Sequence, residues 1–130
     1  MDVYHVTSGA PVGAIARTNE QKAMLLRILV ACAGASLLAW CIMPTHLHVI
    51  LEAAAEAARE IMKRTLASYT RWYNANRKEE HRLFREAIEV YPCHDEGIFF
   101  TKLVYVHDNP VRAGMAALGI EYFWSSAREL

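Results

Sequence analysis

The amino-acid sequence predicts an α+β domain built on a ferredoxin-like antiparallel sheet with helices packed mainly on one face. Three observations carry that expectation. Strand-like and helix-like stretches follow one another in the order β-α-β-β-α-β-α, which suits two packed layers. The 130 residues are 54% hydrophobic, enough for one core without disulfides or a structural metal. No repeat, low-complexity tract or linker divides the chain, so residues 1–130 are read as a single domain.

Each element has a local reason. Tyr4-His5-Val6-Thr7 is β-branched and aromatic and is followed by Ser8-Gly9, which predicts a short first strand ending in a loop over residues 10–18. Thr18 or Asn19 caps a helix in which Met24, Leu25, Ile28 and Leu29 recur at helical spacing, and Gly34 stops it. Ser36 to Met43 is apolar throughout, as a strand buried on both faces is. Pro44-Thr45 interrupts, and His46 to Leu51 resumes as a third strand, with Leu47, Val49 and Leu51 on one face and His46, His48 and Ile50 on the other. From Ala53 to about Asn76 run strong helix formers, with Ala57, Ile61, Leu66, Tyr69 and Tyr73 near one stripe. Ala87 to Tyr91 reads as a fourth strand. Asp95 then caps a third helix through Phe99, Leu103 and Tyr105 that is expected to stop before Pro110.

Composition narrows the function. Cys32, Cys41 and Cys93 form no CxxC pair and are odd in number, a poor disulfide framework and a poor zinc site. With no secretory leader at the N-terminus, the expectation is a cytoplasmic protein. Ile28 to Thr45 carries no charge, but Gly34, Ala35, Ser36 and Pro44 break it, and a membrane span needs about 20 apolar residues, so no membrane partner is expected. Fourteen basic residues balance fourteen acidic ones, which argues against a nucleic-acid binder. The distribution argues back: Arg59 to Arg85 holds eight basic residues against three acidic ones. Within that stretch Lys63, Arg64 and Arg71, with Tyr69, Trp72 and Tyr73 interleaved, offer phosphate contacts and base stacking, or else a plain solvated face.

His46 and His48 are two residues apart on a strand, so both imidazoles share a face and can converge on one cation. Imidazole favours zinc, manganese, iron or nickel, whereas magnesium prefers oxygen, so spacing leaves the metal open. The same spacing equally describes two surface histidines on the open face of a sheet.

The segments CIMPTHLHVIL at residues 41–51 and YVHDNPVRAGM at residues 105–115, with YHVTSG near the start and ASYTRWYN at residues 67–74, resemble the single-tyrosine HUH-type transposases. More narrowly, the chain is similar to the REP-associated tyrosine transposases of the insertion-sequence-200-like group, in the right order from Tyr4 to about Ser126. The resemblance implies that His46 and His48 bind a divalent cation, magnesium or manganese, and that Tyr105 is the nucleophile toward the scissile phosphate of single-stranded, hairpin-containing DNA. It further implies a 5′-phosphotyrosine intermediate and a free 3′-hydroxyl, with no ATP. Asn109, four residues after Tyr105, matches the polar residue that completes the metal site, or else caps the next turn. A helix puts residues i and i+4 on one side, so Tyr105 and Asn109 both face the histidines only if the helix persists to Asp108.

Of the remaining candidates, Arg112 either contacts a phosphate or is a solvated arginine in a structural turn, and Gly114 suits a turn needing positive φ. Tyr69 and Tyr73 are expected to pack in the core, and Tyr4, Tyr91 and Tyr122 lie in short apolar segments. His5 either lies near the metal site, since the strands of such a sheet are neighbours, or is held by the backbone, the reading favoured; His107 is expected to be exposed, and His81 and His94 to lie in loops. Glu86 and Ala87 stand where the family usually has a glycine and an arginine facing DNA, and Ser8-Gly9-Ala10 where an arginine and a glycine are common, which implies reduced DNA affinity. Two other readings therefore stay open: a degenerate or domesticated DNA-binding relative, and a small metal-dependent hydrolase unrelated to DNA. The family includes both homodimers and monomers. The end of the chain soon after Trp124-Ser125-Ser126 is consistent with a catalytic domain trimmed from a longer protein.

Overall fold

A computed structural model describes residues 2–11, 13–78 and 82–129. The loop expected around His81 lies outside the described residues. Strand β1 (Val3–Gly9) is followed by helix α1 (Asn19–Ala33), strands β2 (Leu37–Ile42) and β3 (His46–Glu52), helix α2 (Ala55–Arg77), strand β4 (Glu89–Pro92) and helix α3 (Glu96–Arg112). The sheet order is β2-β3-β1-β4 with every neighbouring pair antiparallel, the arrangement of two split β-α-β units expected of a ferredoxin-like sheet.

Local chemistry sets the element ends. Thr18 accepts a hydrogen bond from the Gln21 backbone while the Gln21 side chain reaches back to the Thr18 backbone, a reciprocal cap that starts α1. Gly34, at φ 53°, ends α1, and a 3₁₀ turn over Gly34–Ser36 delays β2 by one residue from its expected start. β1 is longer than expected because Ser8 and Gly9 pair with Leu47 and His46 instead of opening a loop.

Strand alternation divides the core in two. On one face Val6, Trp40, Ile42, Leu47, Val49 and Leu51 pack with Leu25 and Leu29 of α1 and Ala58, Met62, Leu66 and Tyr69 of α2. On the other face Ala39, Cys41 and Ile50 pack with Val106 of α3 and with Tyr122. Helices α1 and α2 thus share one face, and α3 together with Tyr122 covers the face that carries His46 and His48.

One boundary differs from expectation in a way that matters. α3 does not stop before Pro110 but runs through it to Arg112. A proline inside a helix frees the carbonyl four residues earlier and crowds it. Here the Asn109 side-chain amide donates to that carbonyl, Val106 O, at 3.3 Å and to Tyr105 O at 3.1 Å, and Arg112 Nη2 donates to Tyr105 O at 2.7 Å. The Asn109 side chain satisfies the one acceptor that the proline leaves, Val106 O, and the helix continues. The three cysteines are free, and among the described residues no helix is long and apolar enough to cross a membrane.

Candidate active site

His46 and His48 stand at the start of β3, in the centre of the sheet, and their pleat directs both toward α3. Register places Gly9 opposite His46 and Thr7 opposite His48. A Cβ on Gly9 would lie 2.6 Å from the His46 ring and would also meet the Thr45 carbonyl, so only glycine lets β1 pass this close.

Tyr105 faces the same histidines from α3. Its ring centroid lies 6.0 Å from that of His48 and 5.7 Å from that of His5, edge-on to both, and the residue is 43% exposed. The helix face that carries it also carries Lys102, Asn109 and Arg112, at spacings of three, four and three residues. The Arg112 guanidinium carbon stacks 4.0 Å from the Tyr105 ring centroid. Because the Asn109 amide nitrogen is committed to the helix backbone, its oxygen is the atom left for an outside partner.

His5 belongs to this cluster, the less favoured of its two expected places. Its Nε2 lies 3.2 Å from His48 Nδ1, and its ring stacks on that of His48 at 5.4 Å. Burial holds His48 down to about 3, with His5, His46 and Arg112 adding to the effect, and burial followed by Lys102 holds His5 to about 4. Both imidazoles are therefore neutral at physiological pH, the form that binds a cation. For His48 to offer its Nε2 lone pair, Nδ1 must carry the proton and donate it to His5, as the outer partner of a metal-bound histidine accepts. His5 Nδ1 is buried without a hydrogen-bond partner among the described residues.

Glu86 is the second residue that sequence reasoning did not place in the site. Its Oε1 accepts from His46 Nε2 at 2.8 Å, while His46 Nδ1 meets the Thr45 hydroxyl at 2.9 Å. The Glu86 backbone is fixed to the end of β1, its N–H donating to Gly9 O and its carbonyl accepting from Ser8 Oγ. Lying 40 residues from His46, Glu86 gives no periodic signal; only the register of β1 against β3 and the loop before β4 joins the two.

The donors fit a cation that takes both imidazole and oxygen: a neutral, outer-braced His48, a His46 and the Asn109 amide oxygen. Among the described residues, however, no three His, Cys, Asp or Glu side chains form a ready cage, and both nitrogens of His46 are engaged. His107 is half-buried and bonds Ser126 Oγ at 2.8 Å, so it is not the exposed residue expected, and it faces away from the cluster.

The basic residues of α2 lie elsewhere. Lys63, Arg64 and Arg71 are exposed on the helix layer across the sheet from Tyr105. Lys63 and Arg71 border a groove of about 430 Å³ floored by Leu66, Ala67, Phe84 and Ile88, which Glu86 also lines; Arg64 does not line it. Glu86 thus connects the groove to the histidines.

No family model and no curated protein matches the chain. Among solved structures, the chain is similar to a REP-associated tyrosine transposase bound to a REP hairpin, with a TM-score of 0.75 and 16% identity over 98% of this chain and 78% of the other. At that identity the likeness shows a common fold, that of a REP-associated tyrosine transposase.

Proposed function

We propose that this chain nicks single-stranded DNA as a single-tyrosine HUH-type transposase, with Tyr105 as nucleophile. The observation that carries the reading is the approach of Tyr105 to His48 and His5 on one face of the sheet, in a fold like that of a transposase solved on a hairpin. Tyr105 Oη attacks the scissile phosphorus, its proton is lost as it attacks, and the 3′ oxygen leaves as a free hydroxyl. The product is a 5′-phosphotyrosine, which keeps the bond energy for rejoining without ATP.

His46, His48 and Asn109 would hold the divalent cation, magnesium or manganese. When bound it polarises a phosphate oxygen and fixes the phosphate for in-line attack. His5 orients His48 and keeps its lone pair outward, and Glu86 would release His46 Nε2 as the cation binds. Arg112, stacked on Tyr105, stands ready to meet the phosphate, and Lys63, Arg64 and Arg71 contact the flanking strand across the sheet edge. The partner is single-stranded DNA carrying a hairpin.

A second reading is favoured by one observation: Glu86 occupies His46 Nε2, the atom a cation needs. On that reading the chain binds the same DNA without cutting it. Incubation with hairpin-containing single-stranded DNA and manganese or magnesium separates the two. A covalent protein–DNA adduct that disappears in Tyr105→Phe while binding persists supports the transposase. Binding without an adduct in the wild type supports the second reading.

A further inference from the structure

The face of α3 that presents Tyr105 also presents a cation that neither the motifs nor the fold assign. The Lys102 ammonium lies 4.9 Å from the Tyr91 ring centroid and 6.0 Å from that of Tyr105. Arg112 stacks 4.0 Å from the Tyr105 centroid, and its Nη2 bond to the Tyr105 carbonyl fixes it there. One turn before the tyrosine and two turns after it, the helix thus carries two positive groups around one half-exposed ring.

Neither cation has a carboxylate partner among the described residues. Of the acids near the sheet, Glu86 is engaged with His46 and Glu89 with the Tyr91 hydroxyl. In a chain with zero net charge, two uncompensated cations beside a nucleophile-bearing ring form a local excess that an anion would complete. Guanidinium and ammonium donors together suit tetrahedral phosphate oxygens, the guanidinium as a planar fork and the ammonium as a point charge.

We propose that Lys102 and Arg112 form a two-cation clamp that seats a phosphate group at Tyr105, with Lys102 a phosphate-binding residue of the site. The clamp rests on the reading of Tyr105 as the residue that meets phosphate, but the anion site itself does not depend on cleavage. It takes a phosphodiester of single-stranded DNA or, more weakly, free phosphate.

The test uses tyrosine ring-labelled protein, with the Tyr105 resonance assigned through Tyr105→Phe. Inorganic phosphate is titrated in one arm and a short single-stranded oligonucleotide in the other. In the wild type both shift the Tyr105 resonance saturably, the oligonucleotide at lower concentration. Lys102→Met keeps the aliphatic stem on Tyr91 and removes only the charge. It should weaken the phosphate response at least about fivefold and lower the salt slope of oligonucleotide binding by about one unit, with Lys102→Arg restoring both. An unchanged thermal midpoint in Lys102→Met separates loss of the anion site from loss of fold. The proposal is overturned if Lys102→Met matches the wild type in both arms, or if neither anion moves the Tyr105 resonance of the wild type. Adduct formation is read separately on the same samples: its absence from the wild type would sink the transposase reading and leave the clamp standing.

Discussion

His48 shows how burial prepares a side chain. In water an imidazole is half-charged near pH 6.5; beneath α3 and against His5 it stays neutral down to about 3, and His5 to about 4. The sign of the consequence follows from linkage: both folded values lie below the unfolded value of 6.5, so the unfolded chain binds protons that the folded chain refuses as pH falls. Stability should therefore hold above about pH 7 and fall steadily from pH 6.5 toward pH 4. Urea midpoints measured across that range should show this acid limb, and His5→Asn should make it shallower. A midpoint independent of pH between 7 and 4 would contradict the neutral pair. Glu86 acts at the same scale by a different means. Its carboxylate accepts from His46 Nε2 and so aims that ring.

At the level of elements, α3 decides whether the site exists. Were the helix to stop before Pro110, Arg112 would lie off the Tyr105 face and the Asn109 side chain would have no fixed direction. At the proline, Asn109 donates to the freed carbonyl of Val106, while Asn109 and Arg112 both donate to Tyr105 O one residue earlier. Asn109 therefore has a structural role alongside any part in holding a cation. Asn109→Ala should destabilise the metal-free protein by about 1–2 kcal/mol, since buried Val106 loses the donor to its carbonyl. Denaturant unfolding in the presence of a chelator checks this. An unchanged midpoint would mean that the proline break is satisfied in another way. Of the other helices, α2 turns its apolar stripe to the sheet and leaves Lys63 and Arg71 at the groove that Glu86 closes.

Across the whole molecule, the question is how a four-stranded sheet protects its two edges. β4 is only four residues long and ends at Pro92, which shortens the exposed edge. β2, the other edge, is covered by the C-terminal segment. Ile42 N–H donates to Trp124 O, Cys41 bridges to Ser125, and Tyr122 Oη donates to Ile42 O at 2.7 Å. Ser126 Oγ replaces a neighbouring strand, accepting from Trp40 N at 2.8 Å and donating to Trp40 O at 3.2 Å while also meeting His107 of α3. One hydroxyl thus ties the sheet edge, α3 and the C-terminal segment together. Ser126→Ala should cost about 1–2 kcal/mol by leaving buried Trp40 groups unpaired, and should increase light scattering on heating as the β2 edge opens. Wild-type stability and scattering in that variant would show that the segment covers the edge without this hydroxyl.

The amino-acid sequence by itself determined the elements and their order, because periodicity and caps are local. Alternation along His46–Leu51 gave the shared face of the two histidines, and the Thr18 and Asp95 caps gave the starts of α1 and α3. The motif order added Tyr105 as the partner of those histidines. Tertiary structure alone decided which distant groups meet them. His5 lies 43 residues from His48 and Glu86 lies 40 from His46, separations that only strand register closes. It also decided that α3 passes Pro110, because the Val106 carbonyl freed by the proline is met by the Asn109 side chain, whose direction no local propensity specifies. A sequence encodes which residues a strand or helix turns to one side; which residues from elsewhere face them depends on how the elements pack.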